Sequence, residues 1–264
     1  MFGFIKRHYH YLPEDFFQGA CDIHCHLLPG VDDGFSSTEK SLYALKKLEE
    51  RGVKKMILTP HFMNDYPRNN RESISAEFEV FKAEAEKACQ IELRLGGEYM
   101  LEGGFPEHFK QGFLTLDKAG THVLCETSYM MYEQNYTNML YDIMCEELQP
   151  VIAHPERYEY AGKDVYMRWK DKRYKFQMNL LSLAGVYGEP AREKAHFLLN
   201  EGMYDYIGSD MHGLDNFRRF LPELRLRTKE IDAIAQPWSP TIVCVPRTTR
   251  AASRSIPPPN SKKN

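Results

Sequence analysis

A chain of 264 residues with a formal net charge of -3 is sized for one large domain with a substantial core, and that charge demands no nucleic-acid partner. No run approaches the ~18 apolar residues of a membrane span, and the N-terminal MFGFIKRHYHYL lacks the apolar core and small-residue cleavage site of a leader. The six cysteines include no CxxC pair, which fits buried, reduced thiols in a cytoplasmic protein.

Residues 1–19 carry Phe2, Phe4, Tyr9, Tyr11, Phe16 and Phe17 without a period and read as an irregular lead-in. His8 and His10 spell HxH there, but no strand pattern follows, so they read as surface residues. Residues 21–34, CDIHCHLLPGVDDG, differ. Asp22, His24 and His26 alternate with Ile23 and Cys25, and an extended strand aims His24 and His26 to one side. A helix follows, with Ser36 and Glu39 spelling a capping box, Leu42, Leu45 and Leu48 forming its apolar stripe, and Gly52 closing it.

The second strand, 53–60, leads to His61, then to a loop rich in turn and aromatic residues and a helix over about 71–89. A third strand, 91–98, ends in Gly96-Gly97-Glu98, where two glycines permit close approach of backbone or ligand. Strands at 123–126, 151–154 and 176–179 alternate with helices at about 138–148 and 164–173. Pro190 opens a helix with Leu198 and Leu199 inward, Gly202 closes it, and 204–208 is the last strand before Asp210-Met211-His212. From Gln236 the chain is rich in Pro, Ser and Arg and free of acids. Residues 236–264 therefore read as a disordered tail beyond a single domain at 20–235.

Seven strands alternating with helices require a parallel sheet, and closure into a distorted (β/α)7 barrel brings every strand end to one rim. An open doubly wound sheet is the rival, but no glycine-rich phosphate loop follows the first strand. Six strand-like segments place a metal-ligand type at their C-terminal ends: His24 with His26, His61, Glu98, Glu126, His154, and Asp210 with His212. One HxH is a weak signal, whereas six such ends at a common rim point to a metal site.

DIHCHLLPGVDDG, TPH, GGE, VIAHPERY and SDMH, in this order over roughly residues 20–225, resemble the PHP superfamily. Within it they are most similar to the bacterial tyrosine-protein phosphatases of capsule and exopolysaccharide operons. The resemblance implies two or three divalent ions, manganese first, with iron or zinc as alternatives. By it, His24, His26 and Asp210 hold one ion, and Glu98 bridges to a second held by Glu126 and His154. Asp33, His61 and His212 hold a third, the resemblance choosing Asp33 over Asp32. Asp22 is expected to orient a histidine. Imidazoles and carboxylates suit these metals, which lower the pKa of a bridging water to give hydroxide near neutral pH and bind phosphoryl oxygens.

Arg157, Asp210 and His212 form the expected catalytic set. The Arg157 guanidinium matches phosphate by its planar fork, the alternative being a surface pair with Glu156 or Glu159. The family's second arginine falls near Phe217, with Arg218 and Arg219 as replacements, and Tyr66, Tyr99, Tyr129, Tyr132 and Tyr158 are candidates to wall an aryl pocket. Cys244 and Arg250 spell C-x5-R without a glycine-containing phosphate loop and receive no role. The implied function is hydrolysis of phosphotyrosine in a protein, first of all a bacterial tyrosine kinase controlling polysaccharide export. A histidinol-phosphate-type phosphatase or phosphodiesterase is the alternative within the chemistry, and a silent kinase-binding module the alternative outside it. No nucleic-acid partner and no membrane insertion are expected.

Overall fold

The computed structural model describes residues 8–131 and 135–235, so the expected tail, with Cys244 and Arg250, and Tyr132 lie outside the described residues. Two runs of parallel strands build the core. In the first, β2 (Cys21–Cys25) pairs with β3 (Lys55–Leu58), and β3 with β5 (Glu92–Leu95). The second orders β10 (Tyr206–Gly208), β9 (Lys175–Asn179), β8 (Gln149–Ala153), β7 (His122–Glu126), β6 (Glu98–Met100) and β4 (His61–Phe62).

The runs meet at two seams. The strands expected at 53–60 and 91–98 are each broken in two, because Pro60 has no N–H for a ladder and Gly96-Gly97 lets the partner bend with it. The pair β3–β5 ends at Leu58 opposite Leu95 and resumes as β4–β6 at His61 opposite Glu98. His61 and Glu98 thus begin short strands rather than end long ones. A Cβ on Gly97 would stand 2.8 Å from the Phe62 ring and 2.9 Å from that of Tyr99, so the close approach there is to core rings.

At the other seam β10 closes on β2. The Asp210 amide donates to the His24 carbonyl at 2.8 Å, and the His26 amide to the Met211 carbonyl at 3.0 Å. Cys25 and Met211 form an isolated parallel bridge. Gly208 makes the approach possible, since a Cβ there would lie 2.5 Å from His24 Cβ. The fold is mixed α/β with a curled parallel sheet. Among the described residues the ladder divides into the runs above rather than tracing one continuous closed ring.

Helices cover the sheet with stripes three and four residues apart. α1 (Thr38–Glu50) buries Ala44, Leu45 and Leu48, and α2 (Arg71–Ala88) buries Ile74, Phe78, Phe81 and Ala85. The cap of α1 is Ser37, not Ser36, because the Ser37 side chain accepts the Lys40 amide while Ser36 Oγ accepts from Lys40 Nζ. α3 (Phe105–Gln111) is too short to show a period and was not expected. α4 (Tyr136–Cys145), α5 (Lys163–Asp171) and α6 (Glu189–Asn200) fall near their expected places.

Past Asp210 the chain adds α7 (Leu214–Phe220), β11 (Arg225–Arg227) and α8 (Thr228–Ala235), none of them foreseen. β11 pairs antiparallel with β1 (Tyr9–Tyr11), so the lead-in is not wholly irregular. Its three-residue strand carries no readable period, and its partner lies at the far end of the domain. His8 and His10 are exposed. Cys21, Cys25, Cys89 and Cys125 are buried as expected, but Cys145, at the end of α4, is exposed. Among the described residues no helix is long and apolar enough to cross a membrane.

Candidate metal centre

The strand ends and the two seams carry polar side chains into a common buried space. His24 lies in β2 with His26 just beyond it, His61 and Glu98 start the adjacent strands β4 and β6, Glu126 ends β7, and His154 follows β8. His154 and Asp210 have positive φ, 30° and 50°, and such strain in non-glycine residues collects at functional sites.

Three groups of potential donor atoms result, each with its atoms within 4.8 Å of one another: His24, His26, Glu98 and Asp210; His61, Glu98 and Glu126; and His26, Asp33, His61 and His212. The first contains the trio expected together and Glu98, expected to bridge it to the second; the third contains its expected trio with His26 added. In the second, His61 takes the place expected of His154. His154 Nε2 nonetheless lies 3.1 Å from Glu98 Oε1 and 3.8 Å from Glu126 Oε2.

A divalent cation fits this arrangement. Glu98 Oε2 lies 3.2 Å from His24 Nε2, 3.3 Å from His26 Nε2 and 3.2 Å from His61 Nδ1. Yet Glu98 Oε2, His61 Nδ1, Glu126 Oε1 and His154 Nδ1 are buried without a well-aligned hydrogen bond, although His61 Nδ1 stands 3.0 Å from Glu126 Oε1. Polar atoms are rarely orphaned together in a core, because each unmade bond costs ~1–3 kcal/mol. Donors about 2.1 Å from a shared tetrahedral ion stand roughly 3.4 Å apart, close to these separations.

The electrostatics favour added positive charge. Burial disfavours imidazolium at His26, but Asp210, Asp32 and Glu98 outweigh it and raise that ring well above its ordinary value. Burial and the neighbouring His26 oppose protonation of His61, yet Asp33, Glu126 and Glu98 hold it up at about 10. In return, Glu98 and Asp210 stay well below the usual carboxylate range despite burial, chiefly through His24. The carboxylates thus make this buried space one where added positive charge is stabilised.

Neighbouring groups orient the rings. Asp32 Oδ2 holds His26 Nδ1 at 2.9 Å and accepts the His61 amide at 3.1 Å, whereas Asp33 faces His61 Nε2 at 3.4 Å and His212 Nε2 at 3.3 Å. The adjacent aspartates thus occupy different sites. Asp22 does not orient a ring: its carboxylate accepts the amides of His24 at 3.2 Å and Ser209 at 2.9 Å, and burial pushes it up to about 6. Gln177 holds His24 Nδ1 instead, at 2.8 Å.

Arg157 takes neither Glu156 nor Glu159 as partner. Its Nη1 donates to Asp210 Oδ2 at 2.9 Å, and its guanidinium carbon lies 4.1 Å from the Tyr129 ring centre and 4.3 Å from that of Tyr187. Glu156 turns inward, accepting from the Asn179 amide, Ser182 and Tyr204. Asp210 is divided: Oδ1 faces His24 and His26 at 3.5 and 3.4 Å, while Oδ2 accepts from Arg157, Asn179 (2.6 Å) and Tyr187 (3.2 Å). One carboxylate therefore ties the arginine to the cluster. Beside them opens a cleft of about 270 Å³ lined by Asp33, Arg157, Asp210 and His212 together with Leu181, Tyr187 and Phe217.

Residues 20–232 match the sequence model for capsular polysaccharide synthesis, CpsB/CapC. The chain belongs to that family. It is 25% identical over 197 residues to tyrosine-protein phosphatase YwqE of Bacillus subtilis (strain 168), covering 73% of this chain and 77% of that one. It is 26% identical over 210 residues to tyrosine-protein phosphatase CpsB of Streptococcus pneumoniae, covering 74% and 84%. A crystal structure from work on YwqE and CpsB, described there as unique metal-dependent tyrosine phosphatases, superposes with a TM-score of 0.65 at 22% identity, covering 84% of this chain and 89% of that one.

Not every expected residue of this CpsB/CapC chain reaches the cleft. Arg218 turns away, donating to the Tyr43 hydroxyl at 3.0 Å, and Arg219 lies against Phe220, so neither lines it; Phe217 does. Tyr99 and Tyr158 are buried core residues, the Tyr99 hydroxyl accepting the Leu114 amide and the Tyr158 hydroxyl donating to the Ala153 carbonyl. Tyr66 stacks on His61, and Tyr129 lies against Arg157. Gln177, Asn179 and Tyr187 were overlooked. The first two had a signal, for they repeat on β9 the i, i+2 spacing of His24 and His26. Tyr187 lies in the turn before α6 and had none.

Proposed function

We propose that this chain is a metal-dependent phosphoric monoester hydrolase acting on phosphotyrosine in proteins. Its relatives bear the name tyrosine-protein phosphatase, and the observation that carries the reading is the shared Asp210, which anchors Arg157 beside the cation-seeking cluster. His24, His26, Asp33, His61, Glu98, Glu126, His154, Asp210 and His212 would hold two or three divalent ions, manganese first. Such ions supply Lewis acidity toward phosphoryl oxygens and lower the pKa of water.

The chain's own residues do the rest. Arg157, held planar between two tyrosine rings, offers N–H donors in a fork that fits phosphoryl oxygens. Asp210 and Asn179 hold that fork in register with the cluster, and His212 stands a third exposed at the mouth, where substrate enters. Burial of the other histidines excludes bulk water from the reacting side. The strands carrying these groups form, in this reading, a distorted (β/α)7 barrel of PHP type, joined at the Pro60 bend and at the His24–Asp210 contact. The substrate is a cytoplasmic phosphotyrosine protein, first of all the tyrosine kinase of a capsule operon.

The test is hydrolysis of a phosphotyrosyl peptide with and without added manganese, alongside histidinol phosphate and a phosphodiester. Activity should need the metal, fall to background with a chelator, and vanish in His24→Ala and Asp210→Ala. Full activity in chelator, or in either variant, would refute the proposal.

A further inference from the structure

We propose that Leu181, Tyr187 and Phe217 form a wall that selects an aryl ring, so that the cleft beside Arg157 takes one phosphotyrosine side chain in preference to an alkyl phosphate. The proposal rests on the phosphatase reading above and names the part of the chain that sets its substrate class. The cleft is lined by two kinds of group. Asp33, Arg157, Asp210, His212 and Asn216 present charge and hydrogen-bonding capacity, while Leu181, Phe217 and the Tyr187 ring present carbon. A phosphate joined to a flat apolar ring has the same division.

Size and rigidity narrow the guest further. Sites for drug-sized ligands run about 300–1,000 Å³, so a cleft of about 270 Å³ suits one side chain. Tyr187 is fixed, its hydroxyl donating to Asp210 Oδ2 at 3.2 Å and accepting from Asn179 at 3.3 Å, with its ring against Arg157. Phe217 is held in α7, and Leu181 is buried. Rigid aromatic walls reward a ring that stacks or meets them edge-on, and an alkyl chain forgoes that contact. Tyr66, Tyr99, Tyr129 and Tyr158 do not line the cleft and cannot supply this wall.

Kinetics with one peptide carrying phosphotyrosine or phosphoserine test the wall. In Phe217→Ala the ratio of kcat/KM for the aryl over the alkyl substrate should fall about tenfold, mainly through KM; Phe217→Leu, which keeps bulk and fold, should lose about two- to threefold. An unchanged ratio in both variants overturns the proposal. Calorimetric binding of phenylphosphonate against methylphosphonate reads the wall without turnover. A preference for phenyl of about tenfold in the unmutated protein, lost in the variants, supports it, and equal affinities refute it. If phenyl preference persists where no hydrolysis occurs, the phosphatase reading fails and the wall stands.

Discussion

Replacing Gly208 by alanine would press directly on the seam that carries Asp210 to His24. Gly208 has no positive φ, so alanine adds no backbone strain and the question is one of space alone. The new Cβ would stand 2.5 Å from His24 Cβ and 2.9 Å from Gln177 Nε2. Carbon atoms prefer about 3.5–4.0 Å, so β2 and β10 must part by about 1 Å. That movement takes the Asp210 amide away from the His24 carbonyl, now at 2.8 Å, and the Ser209 amide away from Asp22, now at 2.9 Å. Overpacking of this kind costs about 1–3 kcal/mol, and displacing reactive groups by ~1 Å costs on the order of 10²-fold in rate. Urea unfolding should show the loss of stability at unchanged slope, and phosphotyrosyl-peptide turnover in saturating manganese the loss of rate. Gly103→Ala, whose Cβ meets nothing within 4 Å, is the matched control. If Gly208→Ala matches that control in both measurements, the close approach of the two strands does not hold the site together.

Other changes give separate readouts. Arg157→Lys keeps the charge but loses the planar face held between Tyr129 and Tyr187, and kcat/KM should fall about 10²-fold; near-normal turnover would show that charge alone suffices. Manganese at about a hundred times its Kd should stabilise the fold by ~2.7 kcal/mol, a rise in Tm of roughly 5–10 °C, and His24→Ala should shrink it. No rise in the unmutated protein would count against a metal site. Away from the centre, burial by itself would raise the Glu230 carboxyl, but Arg227 and His196 hold it down at about 2 against an ordinary 4.5. A depressed folded pKa means stability present above pH 4.5 and lost as pH falls toward 2. Glu230→Gln should therefore cost roughly 2 kcal/mol at pH 7 and flatten the acid limb of the stability profile, and an unaltered limb would exclude this carboxylate as its source.

The amino-acid sequence by itself specified what depends on neighbours along the chain. A stripe such as Leu42, Leu45 and Leu48 announces a helix because burial repeats with the local backbone period, and Leu45 and Leu48 are buried in α1. The alternation Asp22, His24, His26 places two imidazoles together for the same reason. The ordered polar strand ends likewise marked where the site would lie. Tertiary structure alone decided which polar atom meets which. Asp32 and Asp33 are indistinguishable as neighbours in sequence, yet one holds His26 and the other faces His61 and His212. Asp22 reaches the Ser209 amide instead of a ring, Arg157 finds Asp210, and Phe217 rather than Arg218 faces the cleft. Those partners depend on how the two seams bring distant strands together, one where the missing side chain of Gly208 lets β10 close on β2 and the other at the break after Pro60, and no local period encodes that.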